Sequence, residues 1–177
     1  MNQALNLQPT LEDQLVLLRP LQDADFHDLY LIAKDPMIWK QHPAYDRYKK
    51  EVFLEFFSAA IKSKGAFTVI EKVSQKIIGT TRFHKIEKLP NAIEIGWTFL
   101  ARDKWGGRYN KAMKTLMINY AFNYYEYVIL YIGEKNIRSQ KAAIKLGAIE
   151  VVDPELAYLN KEDKTEWTYY FKRKQRL

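Results

Sequence analysis

The stretch Ala92-Ile93-Glu94-Ile95-Gly96-Trp97-Thr98-Phe99-Leu100, followed by Arg102-Asp103-Lys104-Trp105-Gly106-Gly107-Arg108-Tyr109-Asn110, decides how this chain is read. In the first part Ile93, Ile95 and Trp97 alternate with Glu94, Gly96 and Thr98, the period of two that a β-strand imposes on its two faces. Beyond the charged turn, Ala112, Met113, Leu116, Met117, Tyr120, Ala121 and Tyr124 recur at helical spacing. A strand that passes through glycines into a helix can hold an anion. The first N–H groups of the helix lack partners within it, the helix dipole adds to them, and glycine lets the backbone approach closely. The same glycines suit an ordinary tight turn, and they match neither G-x-G-x-x-G nor a loop ending in G-K-[ST]. An ATPase or a dinucleotide enzyme is therefore disfavoured.

Working outward, Leu15–Leu21 suits a first strand. Asp23 caps a helix carrying Phe26, Leu29, Tyr30 and Ala33, which Pro36 stops. Met37–Tyr45 reads as a loop, and Asp46–Lys62 as a helix with Val52, Phe53, Phe56, Phe57 and Ala60 inward. Ala66–Val73 and Ile77–Ile86 flank Ser74-Gln75-Lys76 as a hairpin. After the central unit come a strand at Tyr127–Ile132, a helix at Asn136–Leu146 with Gly147 just past its end, and strands at Ile149–Val152 and Thr165–Phe171. The order β-α-α-β-β-β-α-β-α-β-β, with strands grouped beside separated helices, predicts an α+β domain with a mixed sheet, not a regular βα alternation. No internal repeat and no Gly/Ser-rich linker interrupts the chain, so a single domain over residues 1–177 is expected.

Composition narrows the function. The chain has 177 residues, 47% of them hydrophobic, with 9 Phe, 12 Tyr and 4 Trp, enough for a packed core. It has no cysteine, which excludes disulfides, thiolate catalysis and iron–sulfur clusters and suits a reducing compartment. Its three histidines, His27, His42 and His84, are isolated, so no metal site is expected. The net charge of +7 owes much to Lys172, Arg173, Lys174 and Arg176, a basic tail of the kind that is usually a solvated terminus. No nucleic-acid partner is expected on that basis; a ribosome- or RNA-associated binder using the tail would show salt-sensitive binding. No apolar run reaches membrane-spanning length, and Met1–Leu11 has neither a basic n-region nor an apolar h-region, so a cytoplasmic protein is expected.

Taken together, the segments resemble the GNAT superfamily of acyl-CoA-dependent N-acyltransferases from Leu15 to Phe171 in element order. Glu94-Ile95-Gly96-Trp97 resembles the family's fourth strand. Arg102-x-x-Trp105-Gly106-Gly107 resembles its pyrophosphate loop, and Asn136-Ile137-Arg138-Ser139, leading to Leu146-Gly147-Ala148, resembles the N-x-x-S block that follows. The last block, with Trp105-Gly106, is most similar to the RimJ/RimL type, which acetylates protein N-termini and small amines. One position departs from the pattern: the family's second glycine falls where this chain has Arg108.

The resemblance implies acetyl-CoA as co-substrate and a primary amine as acceptor. The backbone of Trp97, Thr98, Phe99 and Leu100 would pair with the pantetheine arm as another strand would. Arg102, Trp105, Gly106, Gly107, Arg108, Tyr109 and Asn110 would form the phosphate loop, with Lys104, Lys111, Arg138 and Lys141 as nearby cations. Asn136 would bond the arm, or cap the helix after it. Glu94 would be the base, with an exposed strand glutamate as the alternative and His84 as the second candidate. Ser139 would give a proton to the leaving thiolate. A neutral α-amine needs little from a base, because a lysine is ~3–4 kcal/mol harder to deprotonate near pH 7. The acceptor site would be shaped by Trp39, His42, Tyr45, Tyr158, Trp167 and Tyr169, although Trp167 and Tyr169 also suit a strand's core face. Many relatives of this type are homodimers. A non-catalytic acyl-CoA-binding module is the rival reading.

Overall fold

The computed structural model describes residues 5–160 and 165–173. Strands β1 (Leu11–Glu12) and β2 (Val16–Pro20) lead through a 3₁₀ turn at Asp23–Asp25 to helices α1 (Phe26–Ala33), α2 (Pro36–Trp39) and α3 (Lys50–Ser63). Strands β3 (Ala66–Glu71), β4 (Ile77–Lys85) and β5 (Ala92–Leu100) follow, then α4 (Arg108–Ala121), β6 (Tyr127–Gly133), α5 (Ile137–Lys145), β7 (Ile149–Glu150) and β8 (Glu166–Lys172). The strands form one sheet in the order β1-β2-β3-β4-β5-β6-β8-β7. Every pairing is antiparallel except that of β5 with β6. This is the α+β mixed sheet that the element order predicts.

Two helices cover opposite faces. On one face α4 buries Met113, Met117 and Ala121 completely against Ile93, Ile95 and Val128. On the other, α3 turns Phe53, Phe56, Phe57 and Ala60 inward, at positions i, i+3, i+4 and i+7, onto Phe99, Trp39 and Leu29. Each buried phenylalanine contributes about 1.5–3 kcal/mol relative to exposure, so this aromatic layer holds α1–α3 against the sheet.

Several details differ from the sequence reading. Asp23 does not cap the first helix: it lies inside the Asp23–Asp25 3₁₀ turn, and α1 starts at Phe26. Pro36 does not only end a helix: Asp35 accepts from the Met37 N–H at 3.0 Å, and Pro36 opens the short α2 in place of a loop. The second long helix begins at Lys50, because Asp46–Lys49 closes a turn of its own with Lys49 N–H to Asp46 C=O at 2.9 Å. The two residues of β1 pair with β2, a strand too short to leave a periodic signal. Of the basic tail, Lys172 and Arg173 are exposed at the end of β8, and residues 174–177 lie outside the described residues. Among the described residues no helix is long and apolar enough to cross a membrane.

Candidate functional site

The parallel pairing of β5 and β6 lasts only from Ala92↔Tyr127 to Glu94↔Ile129. Beyond it β5 continues beside β4 to Leu100, and β6 continues beside β8 to Gly133. The two strands part, and a cavity of about 270 Å³ fills the gap. Beyond Glu94, the backbone N–H and C=O groups along the β6-facing edge of β5 have no strand partner, so an extended chain of amides could add there as a strand would.

A β-bulge opens the gap. Thr80 pairs with Phe99 and Arg82 with Gly96, so Trp97 and Thr98 together face Thr81. Trp97 takes φ +50°, the left-handed region that a tryptophan seldom adopts. The bulge also reverses the face pattern. Ile93 and Ile95 pack on the α4 side, whereas Trp97 and Phe99 pack with α3. The uniform period of two read across Ile93, Ile95 and Trp97 is thus broken at Trp97. Thr98, set on the α4 side, accepts from Lys114 Nζ at 2.8 Å and lies 2.8 Å from the Thr81 hydroxyl.

Glycines and a helix N-terminus make the open end of the cavity. Gly106 and Gly107 have φ +99° and +124°, values open to few residues other than glycine. No atom lies within 4 Å of where a Gly106 Cβ would stand, and only the Lys145 ammonium, at 3.9 Å, does so for Gly107. The 14-residue α4 starts at Arg108, so its first N–H groups and dipole face the cavity lined by Gly106, Gly107 and Asn110. Trp105 donates its Nε1–H to Leu100 C=O at 3.0 Å, and the Arg138 guanidinium stacks 3.9 Å over its ring. Arg138 also donates to Ile38 C=O at 2.8 Å and, through its backbone N–H, to Gln41 Oε1 at 3.0 Å. These bonds tie α5 to α2 across the mouth of the cleft. At the far end the loop after α2 rests directly on β6, where a Gly133 Cβ would come within 2.7 Å of Pro43.

The residues singled out from sequence separate accordingly. Trp97, Thr98, Phe99, Leu100, Trp105, Gly106, Gly107, Asn110, Asn136 and Ser139 all line the cavity, as do Lys104 and Arg138. Asn136 caps α5, its Oδ1 accepting from the Ser139 N–H at 3.2 Å. Arg102, Arg108, Tyr109, Lys111, Lys141 and Glu94 stand apart from the lining. Arg102 binds Asp35 at 2.9 Å, and Arg108 donates to the Tyr109 hydroxyl at 2.8 Å. Tyr109 in turn donates to Glu71, which also accepts from Lys104 at 3.0 Å. Bonds from Ser74, Tyr109 and Lys104 hold the Glu71 carboxyl down at about 2. Arg108 is thus drawn to a tyrosine–glutamate cluster and away from the glycines.

Glu94 is buried, not an exposed strand glutamate, and its carboxylate lies where a Gly96 Cβ would stand, 2.7 Å from that point. His84 pairs with it in register and meets the Trp97 ring edge-on at 5.4 Å. Of the aromatic acceptor set, Trp39 and His42 line the cavity. Tyr45 and Tyr158 are exposed, Tyr169 is buried in the core, and Trp167 faces solvent instead of the core.

Two charged lining residues were not given a role from sequence. Lys114 is buried and its ammonium is pushed down to about 7 by loss of solvent, against which the Glu94 charge raises it. A lysine at the apolar spacing of a helix face, between Met113 and Met117, is the signal that could have found it. Glu166, at the start of β8, also borders the cavity. No local pattern marks it, since it reaches the site only through the β6–β8 pairing.

The candidate site is thus a cleft between parting parallel strands, with a free strand edge leading to a glycine-flanked helix N-terminus. Residues 16–149 match the acetyltransferase (GNAT) domain, and the chain belongs to that family. Solved structures agree in fold. An acetyltransferase from Agrobacterium tumefaciens is 19% identical with a TM-score of 0.75, over 98% of this chain and 99% of the other. A GCN5-related N-acetyltransferase from Brucella melitensis is 21% identical with a TM-score of 0.71, over 93% of this chain and 77% of that one. A candidate ribosomal-protein-serine acetyltransferase from Vibrio cholerae is 14% identical with a TM-score of 0.71, over 96% of this chain and all (100%) of that one.

Proposed function

We propose that the protein moves the acetyl group of acetyl-CoA to a primary amine, a protein N-terminus or a small-molecule amine, by direct attack within a ternary complex. The observation that carries this reading is the free edge of β5 running from the bulge at Trp97 to the glycines before α4. The two amides of pantetheine match a strand edge, and the pyrophosphate matches the N–H groups at the start of α4. Gly106 and Gly107 keep the backbone accessible there, and Lys104, Arg138 and Lys145 supply positive charge. A backbone N–H of the bulged strand would polarise the thioester carbonyl.

The acceptor approaches on the α3 side of the sheet, the face that carries His84, Glu94 and Trp97. The amine nitrogen forms the new C–N bond as the C–S bond breaks. Glu94 takes the proton released from nitrogen, directly or through water, and Ser139 provides one to the departing thiolate. A thiolate is already a fair leaving group at a pKa of ~8.5, so Ser139 contributes less than Glu94. We place the chain in the RimJ/RimL-type branch on the Asn136…Ser139 block, and a fold neighbour named for ribosomal-protein-serine acetylation is in keeping with that.

The test is thiol release from acetyl-CoA over a panel of N-terminal peptides and small primary amines, with the acetylated product confirmed by mass. Acetyl-CoA-dependent acetylation of at least one amine is the expected result. Acetyl-CoA binding with no amine acetylated would overturn the enzyme in favour of a non-catalytic acyl-CoA-binding module.

A further inference from the structure

On the α3 side of the cleft, one buried guanidinium has donors without acceptors, and a second guanidinium stands near it. Arg82 of β4 is only 6% exposed, yet its Nε and Nη2 are buried with no hydrogen-bond partner. Its guanidinium lies 4.6 Å from the centre of the Trp97 ring and 6.0 Å from that of Phe56. Arg47, from the turn before α3, approaches the other side of this region, 4.8 Å from the Phe56 ring and 5.6 Å from Trp39. Its contact with the neighbouring imidazole does not satisfy it. His42 accepts the Ala44 N–H at Nδ1 over 2.9 Å, and burial, with Arg47 and Arg138 nearby, keeps the ring neutral. The neutral ring therefore carries its hydrogen on Nε2, which meets Arg47 Nη1 at 3.3 Å, donor facing donor.

Burying guanidinium donors without acceptors costs free energy unless a ligand supplies them. The charges of Glu94, Glu166 and Asp46 reach these arginines, but none bonds Arg82 Nε or Nη2. Trp97, Trp39 and His42, which these groups touch, border the cavity, and the two arginines stand directly behind them, outside its lining.

We propose that Arg82, Arg47 and the Nε2–H of His42 bind an anionic group of the acceptor, a carboxylate placed near the amine that is acetylated. The proposal rests on the acetyltransferase reading and names the substrate class of that same site. The amine end lies toward Glu94 and the carboxylate toward the two guanidinium groups, so the acceptor is an amino acid or an acidic N-terminal peptide, not a polyamine. Both sources present the same planar, bidentate group to arginine.

The experiment compares matched acceptors at low salt: free α-amino acids against their amides, peptides with Asp or Glu at the second position against Asn or Gln, and spermidine. Carboxylate-bearing members should exceed their neutral partners in kcat/KM by about tenfold or more, the scale of one charge-assisted hydrogen bond, and spermidine should be the poorest. Arg47→Gln, a half-buried position outside the α3 core, should abolish that preference through KM while acetyl-CoA affinity stays unchanged. Arg82→Met, which keeps the volume beside Trp97, should do the same. The amino-acid and peptide arms show which source carries the carboxylate. Equal use of neutral partners, preference for spermidine, no turnover of any carboxylate-bearing amine, or an unchanged preference in Arg47→Gln would each overturn the proposal. Loss of acetyl-CoA binding by the wild type would instead overturn the acetyltransferase reading on which it stands.

Discussion

Lys114 donates from its ammonium to the hydroxyl of Thr98 over 2.8 Å, from a position only 6% exposed, and so anchors the residue next to the left-handed Trp97. Thr98 Oγ1 also reaches Gly96 C=O at 3.2 Å, within the bulge itself. A buried cation is a costly way to hold a hydroxyl, so the bond ties the charge state of one lysine to the shape of the cleft.

The titration of Lys114 sets a pH dependence. Its folded value is pushed down to about 7 by burial, the Glu94 charge opposing, and the unfolded value is ~10.4. Below about pH 7 both states hold the proton and the folded state bears the whole penalty. Between the two values the unfolded chain binds more protons, so stability rises with pH. Urea unfolding should therefore show the wild type gaining on Lys114→Met from about pH 7 to pH 10. A constant difference across that range would contradict it.

Glu71 behaves in the opposite sense. Ser74, Tyr109 and Lys104 hold its carboxyl at about 2, below the unfolded value of ~4.3. Its contribution is present above the unfolded value and lost as pH falls toward about 2. In Glu71→Gln the acid-side loss of stability should be shallower than in the wild type, as read by circular dichroism during acid titration. Coincident acid curves would remove the cluster from the account.

Gly107 stands at φ +124° at the start of α4. An alanine there meets strain of about 1–3 kcal/mol and sets a methyl group beside Lys145. Gly107→Ala should lower the melting temperature through that strain and, by crowding the backbone where the phosphates are proposed to sit, weaken acetyl-CoA binding. Unchanged affinity in a destabilised variant would make this glycine a turn residue only.

Glu94→Gln should lower kcat by about 10²-fold, the lower end of general-base contributions, and flatten the acid limb of the pH–rate profile. Ser139→Ala should cost less, about tenfold, and leave the acid limb in place. Full activity of Glu94→Gln at every pH would return proton removal to solvent alone.

Much of the fold was legible because its periodic signals are local. Phe53, Phe56, Phe57 and Ala60 announce α3, and Ile93 and Ile95 announce β5. The glycines at 106 and 107 and the Asn136 cap sit at element boundaries, where short-range backbone chemistry acts. What escaped the sequence depends on distant pairing. The bulge at Trp97 exists only because Thr80 and Arg82 fix the β4–β5 register, and it turns Trp97 to the opposite face from Ile95. Arg108 was drawn off by Glu71, 37 positions away through Tyr109, and Arg102 by Asp35. Likewise the unsatisfied donors of Arg82 become visible only once α3 closes over β4.

In the proposed complex the gap between β5 and β6 receives the pantetheine arm while the start of α4 receives the phosphates. Calorimetric titration with acetyl-CoA tests it most directly, with desulfo-CoA and ATP as controls. Micromolar binding of acetyl-CoA is expected, retained by desulfo-CoA because the strand edge and the helix N-terminus read the arm and the phosphates, and far weaker binding of ATP, which lacks the amide arm. No heat from acetyl-CoA at millimolar concentration, or ATP binding as tightly, would contradict it.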